Sequence, residues 1–160
     1  MAGQLPKPKE LFHRIPDARI AIIASMWHAQ CVDGMVTRAT AELRAVGVSK
    51  QNILVHRLPG SLELPYAASV LFKRFPDLDA ILAFGVVLQG ETSHDASVLQ
   101  NVTNGFAAVS ERFGNPIINE VIGVRAIEDA EKRSGETDWN KGLEAVFAVS
   151  ELLNWERQLS

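Results

Sequence analysis

The sequence predicts an α/β fold, a three-layer sandwich in which helices cover both faces of a four-stranded parallel sheet. The first observation is that short apolar runs, such as residues 20–24, are typical of strands buried on both faces. The second is that segments with apolar residues at helical spacing alternate with these runs, as crossover helices in a parallel sheet require. The third is that 160 residues, 47% of them apolar, can form the core of one domain.

The first half of the chain predicts two strand–helix units. A buried strand over residues 19–25 precedes a helix from about residue 33 to 46, which Gly47 would end. A second strand over residues 53–58 precedes a helix over residues 65–75, whose first residue is a favourable proline. The apolar face of the first helix consists of Val32, Val36, Ala39, Leu43 and Val46.

The second half predicts two further strands and three helices. The strand over residues 79–88 is the strongest, because it is almost wholly apolar. A long helix follows His94 and ends before Pro116, and a fourth strand covers residues 117–122. The buried stripe of the long helix consists of Val98, Val102, Phe106, Val109 and Phe113. The last two helices cover residues 127–134 and 140–155.

The organisation of the chain is predicted to be simple. Residues 1–17 are expected to form an irregular arm, because prolines interrupt this polar stretch, and residues 18–160 a single domain. The lone cysteine, Cys31, cannot form an internal disulfide, which is typical of a reducing compartment. No apolar stretch resembles a signal peptide or a membrane span, so we expect a cytoplasmic protein without membrane contact.

Charge and motifs argue against several function classes. A net charge of -3 gives no electrostatic footprint for nucleic acid. Neither a P-loop nor a glycine-rich dinucleotide fingerprint occurs, which argues against nucleotide hydrolysis and a dinucleotide cofactor. No cluster of His, Cys and carboxylate residues has metal-ligand spacing, and no serine nucleophile elbow is found.

Functional residues are expected just after the strands, because ligands bind at the carboxyl ends of parallel strands. Trp27 follows the first strand, where its indole either stacks on a planar ring or packs the strand end. Gly60, Ser61 and Glu63 follow the second strand. The serine and the glutamate either bind a polyol or form a turn and a helix cap.

The segment after the third strand, residues 89–94, predicts an anion site. Its Gly, Thr and Ser residues open a helix, where free backbone amides and the helix dipole favour phosphate, and His94 can transfer protons beside it. The alternative is a Thr or Ser cap with an exposed histidine. Arg133 and Lys141 are candidate phosphate cations, although most such residues are surface charges.

Four blocks of the sequence together resemble the lumazine synthase family, from about residue 18 to 159. Each block alone is weak, but their order and intervals are fairly specific. They cover residues 24–28, 59–65, 85–94, and 127–135 followed by 140–145. The resemblance implies a flavodoxin-like lumazine synthase fold. It also implies the condensation of 5-amino-6-ribitylaminouracil with 3,4-dihydroxy-2-butanone 4-phosphate, without metal or organic cofactor.

The resemblance also implies roles for individual residues. Trp27 would stack on the pyrimidine, whose edge the backbone of Val87 and Leu88 would hold. His94 would transfer protons, while Asn119 and Lys141 would complete the pocket from the neighbouring subunit's side or its rim. Ser61 and Glu63 would bind the ribityl chain, and Leu62 between them would also contact the substrate. The implied phosphate ligands are Gly90, Glu91, Thr92 and Arg133.

The chain departs from the family pattern in two places, residues 95–97 and Glu120. The negative charge of Glu120 would oppose a phosphate ester, and Arg125 would offset that charge.

The resemblance implies a homo-oligomer built from pentamers, either a pentamer, a decamer or an icosahedral shell. Two related functions stay open: a non-catalytic flavin-binding or shell-forming paralogue, and a riboflavin synthase of the archaeal type.

Overall fold

A parallel sheet forms the middle layer of the computed structural model, which describes residues 4–160. Its four strands lie in the order β2-β1-β3-β4. All neighbouring strands run parallel, so their carboxyl ends meet at one edge of the sheet. The strands are β1 (Ile20–Ser25), β2 (Ile53–Leu58), β3 (Ala80–Leu88) and β4 (Ile117–Val124).

The central strands are the ones whose sequences are almost entirely apolar. All six residues of β1 are buried, and Ile20 pairs with Ile53 on one side and Ala80 on the other. The edge strands β2 and β4 are only partly buried. A strand between two others has both faces covered by helices, which explains its continuous apolar run.

In the described part of the chain, five helices form the two outer layers and confirm the predicted three-layer α/β fold. Helices α1 and α5 pack against each other and share one apolar core with the sheet, to which Ile22 and Leu82 contribute. Helices α2 and α3 cover the opposite face, where Ile23 and Ala83 lie. The helices are α1 (Ala29–Ala45), α2 (Leu64–Arg74), α3 (His94–Phe113), α4 (Ile127–Lys132) and α5 (Lys141–Gln158).

Helix α1 begins at Ala29, earlier than the predicted residue 33. His28 adopts left-handed backbone angles (φ 55°, ψ 46°), and its carbonyl accepts hydrogen bonds from the backbone N–H groups of Cys31 and Val32, both at 3.1 Å. The helix therefore starts directly after the strand, without a side-chain cap that the sequence could reveal.

Other boundaries also differ from the prediction. Strand β4 extends to Val124, helix α4 ends at Lys132, and α5 continues to Gln158. Three short 3₁₀ turns within residues 4–160 were not predicted, since such turns have no strong sequence pattern. They are Lys9–Leu11, Lys50–Asn52 and Ser61–Glu63.

The predicted N-terminal arm packs against the domain from residue 4 onward, while residues 1–3 of this prediction lie outside the described residues. Phe12 and Ile15 are buried in the core shared by α1 and α5. The backbone N–H of Ile15 donates to the carbonyl of Val46 at 2.9 Å. Within residues 4–160, no helix combines the length and apolarity needed to cross a membrane.

Helices α1 and α5 approach each other closely at Gly142. A Cβ atom there would overlap the carbonyl oxygen of Met35 and would lie 2.7 Å from the backbone nitrogen of Ala39. Asn140 caps α5 at the same point, with its side-chain oxygen accepting from the N–H of Gly142 at 2.7 Å. The contact between the two helices thus requires a residue without a side chain.

Candidate active site

A cavity of about 320 Å³ lies at the carboxyl ends of β1 and β3. It is lined by residues that follow β1 and β2, by the end of β3 and by the start of α3. Seven of the candidate residues therefore lie together, as expected for positions at the carboxyl ends of parallel strands. They are Trp27, Ser61, Leu62, Glu63, Val87, Leu88 and His94.

Trp27 projects into solvent and does not pack the strand end. Its relative exposure is 70%, although it comes two residues after the fully buried Ser25. The backbone N–H of Met26 still donates to the carbonyl of Leu58 at 2.9 Å, which fixes the chain just before the indole. An exposed ring held at the mouth of a cavity is available for stacking on a planar ligand.

The segment after β2 brings a carboxylate next to this indole. A Cβ atom at Gly60 would lie 3.0 Å from Oε2 of Glu63 and 3.5 Å from Cδ1 of Trp27. Glu63 stands at the N-cap of α2, but its side chain makes no capping hydrogen bond there. The alternative interpretation as a helix cap is thus not supported for Glu63, and its carboxylate is available to a ligand.

Gly85 in β3 leaves room for the side chain of Ser61, one of the residues that line the cavity. A Cβ atom at this position would lie 2.6 Å from Oγ of Ser61 and 3.4 Å from Oγ of Ser25. Ser61 is nearly buried, and the buried hydroxyl of Ser25 has no hydrogen-bond partner within the described part of the chain. A side chain at position 85 would therefore displace the Ser61 hydroxyl.

The start of α3 presents its first backbone amides without a strong side-chain cap. Ser93 at the N-cap makes no side-chain capping bond, and Oγ1 of Thr92 accepts only a long hydrogen bond of 3.4 Å from the N–H of His94. Gly90, Glu91 and Thr92 are exposed, and they connect Leu88 to His94, which both line the cavity. This arrangement is suited to an anion beside an imidazole.

The other three candidate residues lie elsewhere on the chain. Arg133 and Lys141 line a separate depression of about 430 Å³ near the end of β4, together with Arg125 and Asp129. Asn119 is exposed on β4, where its side-chain amide donates to Oγ1 of Thr103 at 3.5 Å. The described chain by itself does not bring Arg133 into the cavity that His94 lines.

Comparison with known proteins shows the family of this chain. A sequence model of the family described as 6,7-dimethyl-8-ribityllumazine synthase matches residues 17–157. The chain belongs to this family. A 6,7-dimethyl-8-ribityllumazine synthase of Stenotrophomonas maltophilia (strain K279a) is 40% identical over 147 residues, which cover 91% of this chain and 94% of the relative. One of Xanthomonas oryzae pv. oryzae (strain PXO99A) is 39% identical over 141 residues, or 88% and 91% of the two chains.

Glu120 forms a charge cluster with two residues of α5, the buried Lys141 and the partly exposed Glu144. The ammonium of Lys141 lies 2.8 Å from Oε2 of Glu144 and 3.7 Å from Oε2 of Glu120. Burial raises the pKa of Glu120 to about 7, repulsion by Glu144 adds to this effect, and Lys141 opposes it. The raised pKa lowers the ionised fraction of Glu120 near neutral pH, and its carboxyl group lies beside the ammonium group of Lys141.

We expect Glu120→Gln to reduce the pH dependence of stability. Folded Glu120 keeps its proton up to about pH 7, whereas its ordinary pKa is 4.5, so the free energy of unfolding falls as the pH rises through that window. Because one pKa unit corresponds to about 1.4 kcal/mol, the fall due to Glu120 is on the order of 3 kcal/mol.

Urea unfolding at pH 5 and pH 8 measures this difference for the parent protein and the variant. The matched control is Glu128→Gln, which changes an exposed carboxylate on α4. An unchanged difference between the two pH values in Glu120→Gln would contradict the assignment.

Sequence reasoning missed two features of this lumazine synthase family member. It included His28 in the block of residues 24–28 but gave it no role, although His28 lines the cavity with Trp27 and His94. A histidine directly after the aromatic residue was the available signal. It also missed the pairing of Glu120 with Lys141, because no sequence pattern links residues of a strand and a later helix. Within residues 4–160, no group of three or more His, Cys, Asp or Glu residues could hold a metal ion.

Proposed function

We propose that the chain is a transferase that condenses 5-amino-6-ribitylaminouracil with 3,4-dihydroxy-2-butanone 4-phosphate. The product is 6,7-dimethyl-8-ribityllumazine, with release of phosphate and water, in riboflavin biosynthesis. Family membership supports the reaction, and the observation that carries the assignment to this chain is the cavity shared by Trp27, Glu63 and His94.

The pyrimidine substrate is assigned to the side of the cavity formed by the ends of β1 and β2. The exposed indole of Trp27 stacks on its ring, and the backbone groups of Val87 and Leu88 hold the edge of the ring. Ser61 and Glu63 bind the ribityl hydroxyls, with Leu62 between them at the cavity wall. The free carboxylate of Glu63 is suited to a polyol, because it accepts several hydrogen bonds.

The phosphorylated ketone is assigned to the start of α3. The backbone at Gly90, Glu91 and Thr92 holds the phosphate next to the amino end of the helix, and Arg133 supplies a guanidinium. His94 transfers the protons that imine formation, phosphate elimination and ring closure require. Donors already aimed at the anion favour elimination, and holding two substrates together supplies much of the rate.

A homo-oligomer built from pentamers would complete this site. Arg133, Lys141 and Asn119 lie away from the cavity of the same chain, so a neighbouring copy is the natural source of these groups. Light scattering measures the mass of the assembly in solution, and the mass of a single chain would contradict the proposed oligomer.

A cytoplasmic location is part of the same proposal. The buried cysteine, Cys31, is a free thiol, which fits a reducing compartment.

The condensation is tested by mixing the two substrates with the purified protein and following the fluorescence of the lumazine product. Product formation above the rate without protein is the expected result. A folded sample that forms no product would reject the function. Incubation with the lumazine alone is the control, because formation of riboflavin there would indicate a riboflavin synthase.

A further inference from the structure

The substrate cavity contains a second imidazole besides that of His94. His28 lines the same cavity as Trp27, Ser61 and Glu63, and it is only partly buried. It follows directly after the stacking candidate Trp27, at the carboxyl end of β1. His94 reaches the cavity from the start of α3, so the two imidazoles come from different elements.

The backbone at His28 is unfavourable for a residue with a side chain. Its φ of 55° makes it the only residue other than glycine with positive φ among residues 4–160. Glycine adopts this left-handed conformation without a steric penalty, and asparagine, aspartate and histidine tolerate it better than other residues with side chains. The backbone therefore accepts several residue types at this position, and the conformation alone does not require an imidazole.

The structural tasks at this position do not require an imidazole. The start of α1 uses the carbonyl of His28, which accepts from Cys31 and Val32, and any residue supplies a carbonyl. The side chain makes no capping hydrogen bond to the helix. Backbone strain that persists beside a cavity is a reason to ask whether the side chain has a function.

We propose that His28 hydrogen-bonds the bound ribitylaminopyrimidine and so helps to select it. This inference rests on the proposed function and adds a substrate contact to it. A neutral imidazole offers one donor and one acceptor, which complements the acceptor-only carboxylate of Glu63 on the same cavity wall. The position of His28 beside Trp27 assigns it to the pyrimidine and not to the phosphate, which lies at the start of α3.

The test compares His28→Gly and His28→Asn with the parent protein. Glycine keeps the left-handed backbone and removes the imidazole, while asparagine keeps a hydrogen-bonding side chain. We expect His28→Gly to raise the KM for the pyrimidine and its dissociation constant in the absence of the ketone by about three- to tenfold, the value of one hydrogen bond. The KM for the phosphorylated ketone should change less than twofold, and His28→Asn should recover part of the loss.

Unfolding midpoints and one control variant separate recognition from a purely structural role. His56→Asn changes an exposed histidine on β2 outside the cavity, and it should leave both KM values unchanged. Unchanged pyrimidine affinity in His28→Gly would overturn the inference, and so would an equal rise of both KM values together with a lower midpoint. A parent protein that forms no lumazine would remove the proposed function and this inference together, whereas normal turnover with unaltered His28→Gly removes only the inference.

Discussion

The substitution Gly142→Ala should lower the free energy of unfolding by about 3 kcal/mol, since forced overpacking costs roughly 1–3 kcal/mol and a helix cap about 1 kcal/mol. The new methyl group would overlap the carbonyl oxygen of Met35 and lie 2.7 Å from the nitrogen of Ala39. Both are backbone atoms of α1, so no side chain can rotate away, and the helices must separate. The cap from Asn140, whose Oδ1 would be 2.9 Å from the methyl group, would also be disturbed.

Urea unfolding measures the loss, and Gly135→Ala serves as the matched control. A Cβ atom at Gly135 would meet only the carbonyl oxygen of Glu131, at an ordinary distance of 3.6 Å. The control should therefore change stability by no more than about 0.5 kcal/mol. Similar losses in the two variants would show that the close contact between α1 and α5 is not the cause.

The substitution His94→Asn should lower kcat about a hundredfold and leave the KM of both substrates nearly unchanged. Asparagine retains a polar side chain of similar reach but cannot transfer protons, and positioned proton transfer contributes roughly 10²- to 10⁴-fold. His94 is exposed, so water can replace it in part, which places the expected loss at the lower end.

Steady-state kinetics with both substrates varied separately provide the measurement. His13→Asn is a suitable control, because His13 lies in the N-terminal arm near Glu151 and outside the cavity. Turnover of His94→Asn within threefold of the parent protein would remove the histidine from the proposed proton transfers.

The sheet and its helical layers could be predicted because burial leaves a strong pattern in the sequence. The nine residues of β3 are apolar apart from one glycine, since the strand lies between β1 and β4 with helices on both faces. The start of α1 could not be predicted, because His28 begins the helix through its carbonyl and a left-handed backbone. Neither feature leaves a side-chain signal.

The cavity was predictable for a similar reason, whereas the charged depression was not. Trp27, Glu63 and His94 follow strands or open a helix, and parallel strands bring such positions together. The placement of Arg133 and the burial of Glu120 depend on how β4 packs against α4 and α5. Such packing joins residues that no local spacing connects.

The cavity lies just beyond the last buried residue of β1 and at the end of β3. Stabilising the fold and contacting a ligand are therefore tasks of largely different residues. Buried residues such as Ile23 and Phe84 stabilise the fold, whereas Trp27 and Leu62 are exposed at the strand ends and contribute little to its stability. Substitutions at these exposed positions can therefore change ligand preference while the buried core stays the same. One scaffold of this kind can accommodate new chemistries without being rebuilt.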